Sequence, residues 1–219
     1  MDRALIPAVL VVGLTACATV SDLPPDYVVG ANGNGLVIVS LTLSGKTLER
    51  LSSFEFRIRD VAPEDGDPVN AMPYFDSARQ HARWIGGGDR SRQNVDLGVI
   101  VKESNSAEPL DITDAGTVTG RLATLRLPAG DYEFYAWKVR EPNLYGGTEY
   151  SPKHTFSYRF SVKPGQTIYI GQLNLRLTER NTQMITIEDK RDRDLVVLVE
   201  KIPSIRAEQV SFGVGRPSL

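Results

Sequence analysis

The chain of 219 residues holds one cysteine, Cys17, two histidines and two tryptophans. A single cysteine excludes an internal disulfide, so the fold must be held by its core alone. It also excludes the usual zinc site built from clustered Cys and His. The histidines, His81 and His154, offer little to a His-based triad, and no G-x-S-x-G elbow exists to place a serine. Charge of one sign is lacking as well. There are 25 Lys and Arg against 27 Asp and Glu, a formal net charge of −2. That balance argues against a nucleic-acid partner or a polybasic membrane surface. No apolar run reaches the ~20 residues that a membrane-spanning helix needs.

The main apolar run lies at the start. Met1-Asp2-Arg3 supplies a basic residue, Ala4–Leu14 is apolar apart from Pro7 and Gly13, and Leu14-Thr15-Ala16-Cys17 closes the segment. This is the layout of a secretory signal peptide. An aliphatic residue, two small residues and a cysteine resemble a bacterial lipobox. The resemblance implies that the Cys17 thiol receives a diacylglyceryl group and that cleavage falls before Cys17. It also implies that the new amino group is acylated. A thiolate suits this chemistry because it is the better nucleophile, and multiple acyl chains give stable anchoring. Ala18, where an aspartate would signal inner-membrane retention, implies by the same resemblance outer-membrane sorting, with the protein facing the periplasm or, as the alternative, the cell surface. Residues 17–35 read as a lipidated tether, stiffened by Pro24-Pro25 and ending in Asn32-Gly33-Asn34-Gly35.

Period-two alternation then dominates. In 36–43, Val37, Val39, Leu41 and Leu43 share one face; in 54–59, Phe54, Phe56 and Ile58 do. A further strand is expected over 96–102. Residues 120–139 read as two strands around Pro128-Ala129-Gly130-Asp131, and 154–177 as two around Lys163-Pro164-Gly165-Gln166. Both turns are expected to be tight hairpins. Phe156, Tyr158, Phe160 and Val162 line one face. On the return strand the inward set passes from Ile168 and Ile170 to Leu173, Leu175 and Leu177, which predicts a bulge or bend at Gly171-Gln172. Residues 182–188 add a strand with Ile185 and Ile187 inward. In 192–203, Leu195, Leu198, Val199 and Ile202 have helical spacing, with Asp192 as cap and Pro203 as stop. Residues 60–95 read as a long excursion, 103–116 as loop, and 204–219 as a loosely ordered tail.

About eight strands and little helix imply a mainly β protein, an antiparallel β-sandwich over 36–203, Ig-like or prealbumin-like, with long loops and a short C-terminal helix. The stretch "LPAGDYEFYAW…FSVKPGQTIYIGQL", about residues 120–176, resembles bacterial lipoproteins with a prealbumin-like or carboxypeptidase-regulatory-like sandwich. That resemblance implies a fold and no activity.

No catalytic or metal-binding constellation stands out. His81 lies with Asp76 and Ser77 in a stretch that reads as a solvated helix. "PEDGD" (63–67) lacks the full calcium-loop pattern. "GANGNG" (30–35) has no helix after it to bind phosphate. "WIGGGDRSR" (84–92) reads as a linker, with an anion nest as its alternative. One strand points to binding. In "DYEFYAWKV" both faces are apolar: Tyr132, Phe134 and Ala136 on one, Tyr135, Trp137 and Val139 on the other. Something must cover the second face, either the C-terminal helix, the 60–95 excursion, or a partner. Tyr135 and Trp137, with Tyr145 and Tyr150 in the following loop, are the candidate partner-binding residues. The expected role is a lipid-anchored, non-enzymatic interaction or accessory module of the bacterial envelope. Its partner is an envelope protein or a glycan, and it needs no cofactor beyond the lipid on Cys17. The alternatives are a small-ligand or glycan-binding lipoprotein and an envelope hydrolase.

Overall fold

The computed structural model describes residues 34–61, 96–103, 110–114, 117–154, 156–178, 183–213 and 217–218. The leader, Cys17, His81 and the motifs at 63–67 and 84–92 lie outside the described residues.

The protein is a two-sheet β-sandwich. One sheet holds β1 (Asn34–Ser44), β4 (Ile112–Asp114), β5 (Val118–Pro128), β9 (Thr167–Leu177) and β10 (Gln183–Glu188) in the order β10-β9-β1-β5-β4, with β11 (Val210–Phe212) added to β9. The other holds β2 (Ser53–Asp60), β3 (Asp96–Glu103), β6 (Gly130–Glu141), β8 (Ser157–Val162) and β12 (Pro217–Ser218) in the order β12-β8-β6-β2-β3, with β7 (Thr148–Tyr150) on β6. All eight strands expected from alternation are present. Pairing is antiparallel except where β1 and β11 run parallel to β9. The short strand β4 falls where loop was expected; it pairs with β5 and buries Ile112.

The inner faces of both sheets form one core. Val37, Val39, Leu41 and Leu43 from β1 meet Phe54, Phe56 and Ile58 from β2 and Tyr158, Phe160 and Val162 from β8. Ile185 and Ile187 pack on its margin. Phe56 and Phe134 meet edge to face at 6.2 Å and Tyr132 stacks on Phe160 at 5.9 Å, geometries that aromatic quadrupoles favour when the stack is offset.

Two turns differ from expectation. The link at Ala129 and the turn over 163–166 do not close hairpins. β5 and β9 belong to one sheet, β6 and β8 to the other, so both turns carry the chain across the sandwich. Proline and glycine specify a reversal, but they do not specify which strand becomes the neighbour. The 163–166 turn is set by the Gln166 N–H donating to the Lys163 carbonyl at 3.2 Å and by Gly165 at φ 67°.

The bulge expected at Gly171-Gln172 is there. Between Ile38 and Ser40 on β1, the paired residues on β9 advance from Tyr169 to Gln172, and Gly171 adopts φ 100°. The extra residue moves the inward set from Ile168 and Ile170 to Leu173, Leu175 and Leu177, all buried.

The C-terminal helix α1 (Arg191–Lys201) covers the outer face of the first sheet, not the face of β6. Leu198 and Ile202 pack with Leu36, Ile38, Leu122 and Tyr169, and Leu195 and Val197 lie against them. Val199, expected inward, is 39% exposed. Asp192 makes no cap; the first turn starts from Lys190, and Asp189 Oδ1 accepts the Arg191 N–H at 3.0 Å. Residues 204–213, expected to be loosely ordered, hold a 3-10 turn at Ala207–Gln209 and the strand β11, and they bury Ile205 and Val210 against the helix cluster.

Gly171→Ala is expected to cost about 1–3 kcal/mol. The alanine would sit at positive φ with its Cβ 3.1 Å from the Glu188 carbonyl oxygen. Urea unfolding of the two proteins measures the difference.

Candidate functional site

Among the described residues, three places concentrate polar or aromatic side chains. The first lies on the outer face of the second sheet. Glu133 stands between Arg59 and Ser157 and is only 5% exposed. Arg59 Nε donates to Glu133 Oε1 at 2.7 Å, the Ser157 hydroxyl donates to Oε2, and Arg159 Nε lies 3.7 Å from it. Arg59 also lies over the Tyr135 ring at 4.5 Å. Burial pushes the Glu133 carboxyl up, but these hydrogen bonds and the two guanidinium charges outweigh it and hold it below its ordinary value. Each oxygen of the carboxylate accepts a hydrogen bond and two guanidinium groups flank it, which suits a structural brace.

The second place is buried under the start of α1. The Asp194 carboxylate is fully buried. Its Oδ2 accepts the Ser40 hydroxyl and the Tyr169 hydroxyl, the latter at 2.5 Å. Its Oδ1 accepts Arg193 Nε at 2.8 Å. Arg193 also donates to Gln172 Oε1 at 2.7 Å and to Asp114. The Lys190 N–H donates to the Tyr169 oxygen at 3.2 Å, while burial and then Asp194 push the Tyr169 hydroxyl pKa up. A serine beside a carboxylate and a tyrosine has the inventory of a catalytic set. Yet Ser40, Tyr169 and Asp194 are all closed to solvent, and the adjoining cavity of about 480 Å³ is lined by Asp189–Arg193. The group fastens the helix to the sheet. The Ser40 signal was present in the sequence: it stands on the outer face of β1 behind Leu36 and Ile38, a polar atom where a cover was needed.

The third place is the loop between β6 and β7. Asn143 organises it: Oδ1 accepts the N–H of Tyr145 at 2.8 Å and of Gly147 at 2.9 Å, and Nδ2 donates to Thr148 Oγ1 at 2.9 Å. Arg140 donates to the Gly146 carbonyl at 3.2 Å. Gly146 and Gly147 take φ of 106° and 128°, which only glycine adopts readily. The result is a braced turn carrying Leu144 and Tyr145 at 98% and 97% exposure. At its base, Lys46 donates to Glu141 at 2.6 Å and Tyr150 to the same oxygen at 3.0 Å. The Lys46 bond holds the Glu141 carboxyl below its ordinary value against the opposing effect of burial.

The candidate aromatics therefore separate. Trp137 is 3% exposed and belongs to the core. The reason is a second bulge. Arg57 pairs with Ala136 and Ile58 with Phe134, leaving Tyr135 as the extra residue. Tyr132 and Phe134 point inward before it, Trp137 and Val139 after it. The change of parity puts Tyr132, Phe134, Trp137 and Val139 on one inner face. Tyr135 is half-buried under Arg59. Tyr150 packs on the core margin. Tyr145 alone is fully presented, joined by Leu144, which sequence reasoning passed over. His154 is exposed at the surface. Among the described residues, no group of three His, Cys, Asp or Glu side chains is placed to hold a metal.

No family model matches this chain. No curated protein matches it either. Among solved structures it is similar to a leucine-rich repeat protein from Bacteroides thetaiotaomicron, at 14% identity and a TM-score of 0.33, over 67% of this chain. The chain spans 14% of the length of that protein, and a likeness this slight carries no functional argument.

Trp137→Ala is expected to destabilise the protein by about 3–5 kcal/mol, and Tyr145→Ala to change stability by less than about 0.5 kcal/mol. Thermal and urea melts distinguish a core role from a surface role. Glu133 titrates lower folded than unfolded. It therefore contributes stability above its unfolded value, near 4.5, and loses it as pH falls through the folded value. Glu133→Gln should flatten the acid limb of stability, seen in urea melts taken from neutral to acid pH.

Proposed function

We propose that the protein is a lipid-anchored module of the bacterial envelope that acts by binding a partner rather than by catalysis. The lipobox-like Leu14-Thr15-Ala16-Cys17 supports the anchor, and Ala18 after it supports the address of an outer-membrane lipoprotein facing the periplasm. The observation that carries the binding role is the braced turn with Leu144 and Tyr145 in solvent. Two large apolar side chains held at nearly full exposure cost solvation free energy that a monomer ordinarily avoids by burial or by a flexible tip. Here the chain spends three side-chain hydrogen bonds from Asn143 on keeping them in place. Tyrosine is favoured in interaction hot spots.

The anchor and the binding role are tested separately. Cys17→Ser should abolish incorporation of labelled fatty acid and leave the uncleaved precursor; processed, membrane-retained protein would refute the anchor. Leu144→Ala with Tyr145→Ala should remove crosslinked species formed in intact cells while the melt is unchanged. Crosslinks that persist in that folded double variant would refute the role of the turn.

A further inference from the structure

The strands place the turn at one pole of the sandwich and the entry of the tether at the other. β1 begins at Asn34, where it pairs with Pro128, and ends at Ser44, where it pairs with Val118. Just beyond its far end, Lys46 is bonded to Glu141, the last residue of β6, from which the turn departs. Eleven residues of β1 therefore separate the tether entry from the turn, about 33 Å at roughly 3.3 Å per residue. The β5–β6 link at Ala129 and the 163–166 turn share the tether's pole, since the Gly165 N–H donates to the Asn34 carbonyl.

We propose that Leu144 and Tyr145 form a membrane-distal knob that docks into an apolar pocket of a protein partner, a pocket with acidic groups at its rim. The proposal rests on the lipid-anchored reading for its direction and on the turn itself for its chemistry. A domain tethered to a bilayer at the Asn34 pole presents the opposite pole to the aqueous space, away from the lipid. The rim follows from charge. The flank of the turn carries Lys138 and Arg140 beside Glu141 and Glu149. Both acids already hold an ion pair, Glu141 with Lys46 at 2.6 Å and Glu149 with Lys138 at 3.0 Å. Arg140 is exposed beside the turn, where its hydrogen bond goes to the neutral Gly146 carbonyl. A knob with a cationic flank is matched by an apolar socket with an anionic edge. The hydrogen-bonded backbone holds the two side chains close to their docking arrangement, which lowers the entropy lost on association.

The test uses the full chain in its native membrane. A photoreactive phenylalanine analogue replaces Tyr145, and a second variant carries it at Thr113, an exposed position on β4. The position-145 protein is irradiated in intact cells, and the adduct is sized and mapped by mass spectrometry. The expected result is one discrete heterologous adduct whose mapped peptide lies in an apolar pocket bordered by Asp or Glu. Leu144→Asp should reduce it on the order of tenfold or more, and the Thr113 probe should not form it. In parallel, lipidated Tyr145→Trp in vesicles of brominated phospholipid should show no more quenching than the parent protein. An adduct at twice the protein's mass, strong quenching by brominated lipid, or no adduct from a correctly lipidated protein would each overturn the proposal. Loss of lipid labelling from Cys17 itself would instead remove the anchor, leaving the adduct at position 145 to be judged on its own.

Discussion

The structure depends on β1 being buried on both of its faces. Its inner side chains, Val37 to Leu43, build the sandwich core, and its outer ones, Leu36 and Ile38, need a second cover. That requirement accounts for α1, for the ordered segment after it, and for the carboxylate of Asp194. The outer face turns polar at Ser40, so the helix must bring a polar partner to that point. Asp194 meets Ser40 and Tyr169 there, and Arg193 balances its charge. A buried carboxylate is tolerated only when donors surround it, and this one has three. It fixes the helix by direction as well as by burial, which Leu198 and Ile202 alone would leave free to slide.

Changes of strand parity organise the rest. In β9, Gly171 supplies the positive φ at the extra residue. In β6 the extra residue is Tyr135, half-buried beneath a guanidinium. Each bulge lets a long strand keep apolar residues on the core while the sheet twists. The consequence for function is a clean division. In β6, Tyr132, Phe134 and Trp137 go to the core, and the two most exposed large apolar side chains, Leu144 and Tyr145, lie beyond the strand's end, in the turn.

Much of the fold was legible in the sequence because alternation is a local signal. Eight strands, the helix and the Gly171 bulge follow from runs such as Phe54, Phe56 and Ile58 or from the jump between Ile170 and Leu173. Sheet membership was not legible, because Pro-Ala-Gly and Pro-Gly turns look alike whether the flanking strands pair or oppose each other. The β6 bulge was hidden by its own residues. Tyr135 and Trp137 are both aromatic, so the change of parity imitated a strand with two apolar faces, and a glycine marker such as Gly171 is missing there. Val199 was misassigned to the inner helix face because five consecutive apolar residues, Leu195 to Val199, fit more than one helical phase. Of the candidate surface, Tyr145 was legible as an aromatic beside glycines, whereas Leu144 became notable only once its exposure was known. The cluster around Asp194 joins residues far apart in the chain, and no spacing rule links Ser40 to a helix that begins at Arg191.

The parallel contact between β1 and β9 has a kinetic side. β1 is the first described strand of the chain, yet its two sheet neighbours, β5 and β9, come from the second half. A polypeptide made from its amino end thus carries its most apolar strand unpaired through most of synthesis. Closing such long loops slows folding and prolongs the exposure of a sticky edge. The sheet neighbours of β1 are complete only once Leu177, the last residue of β9, has been made.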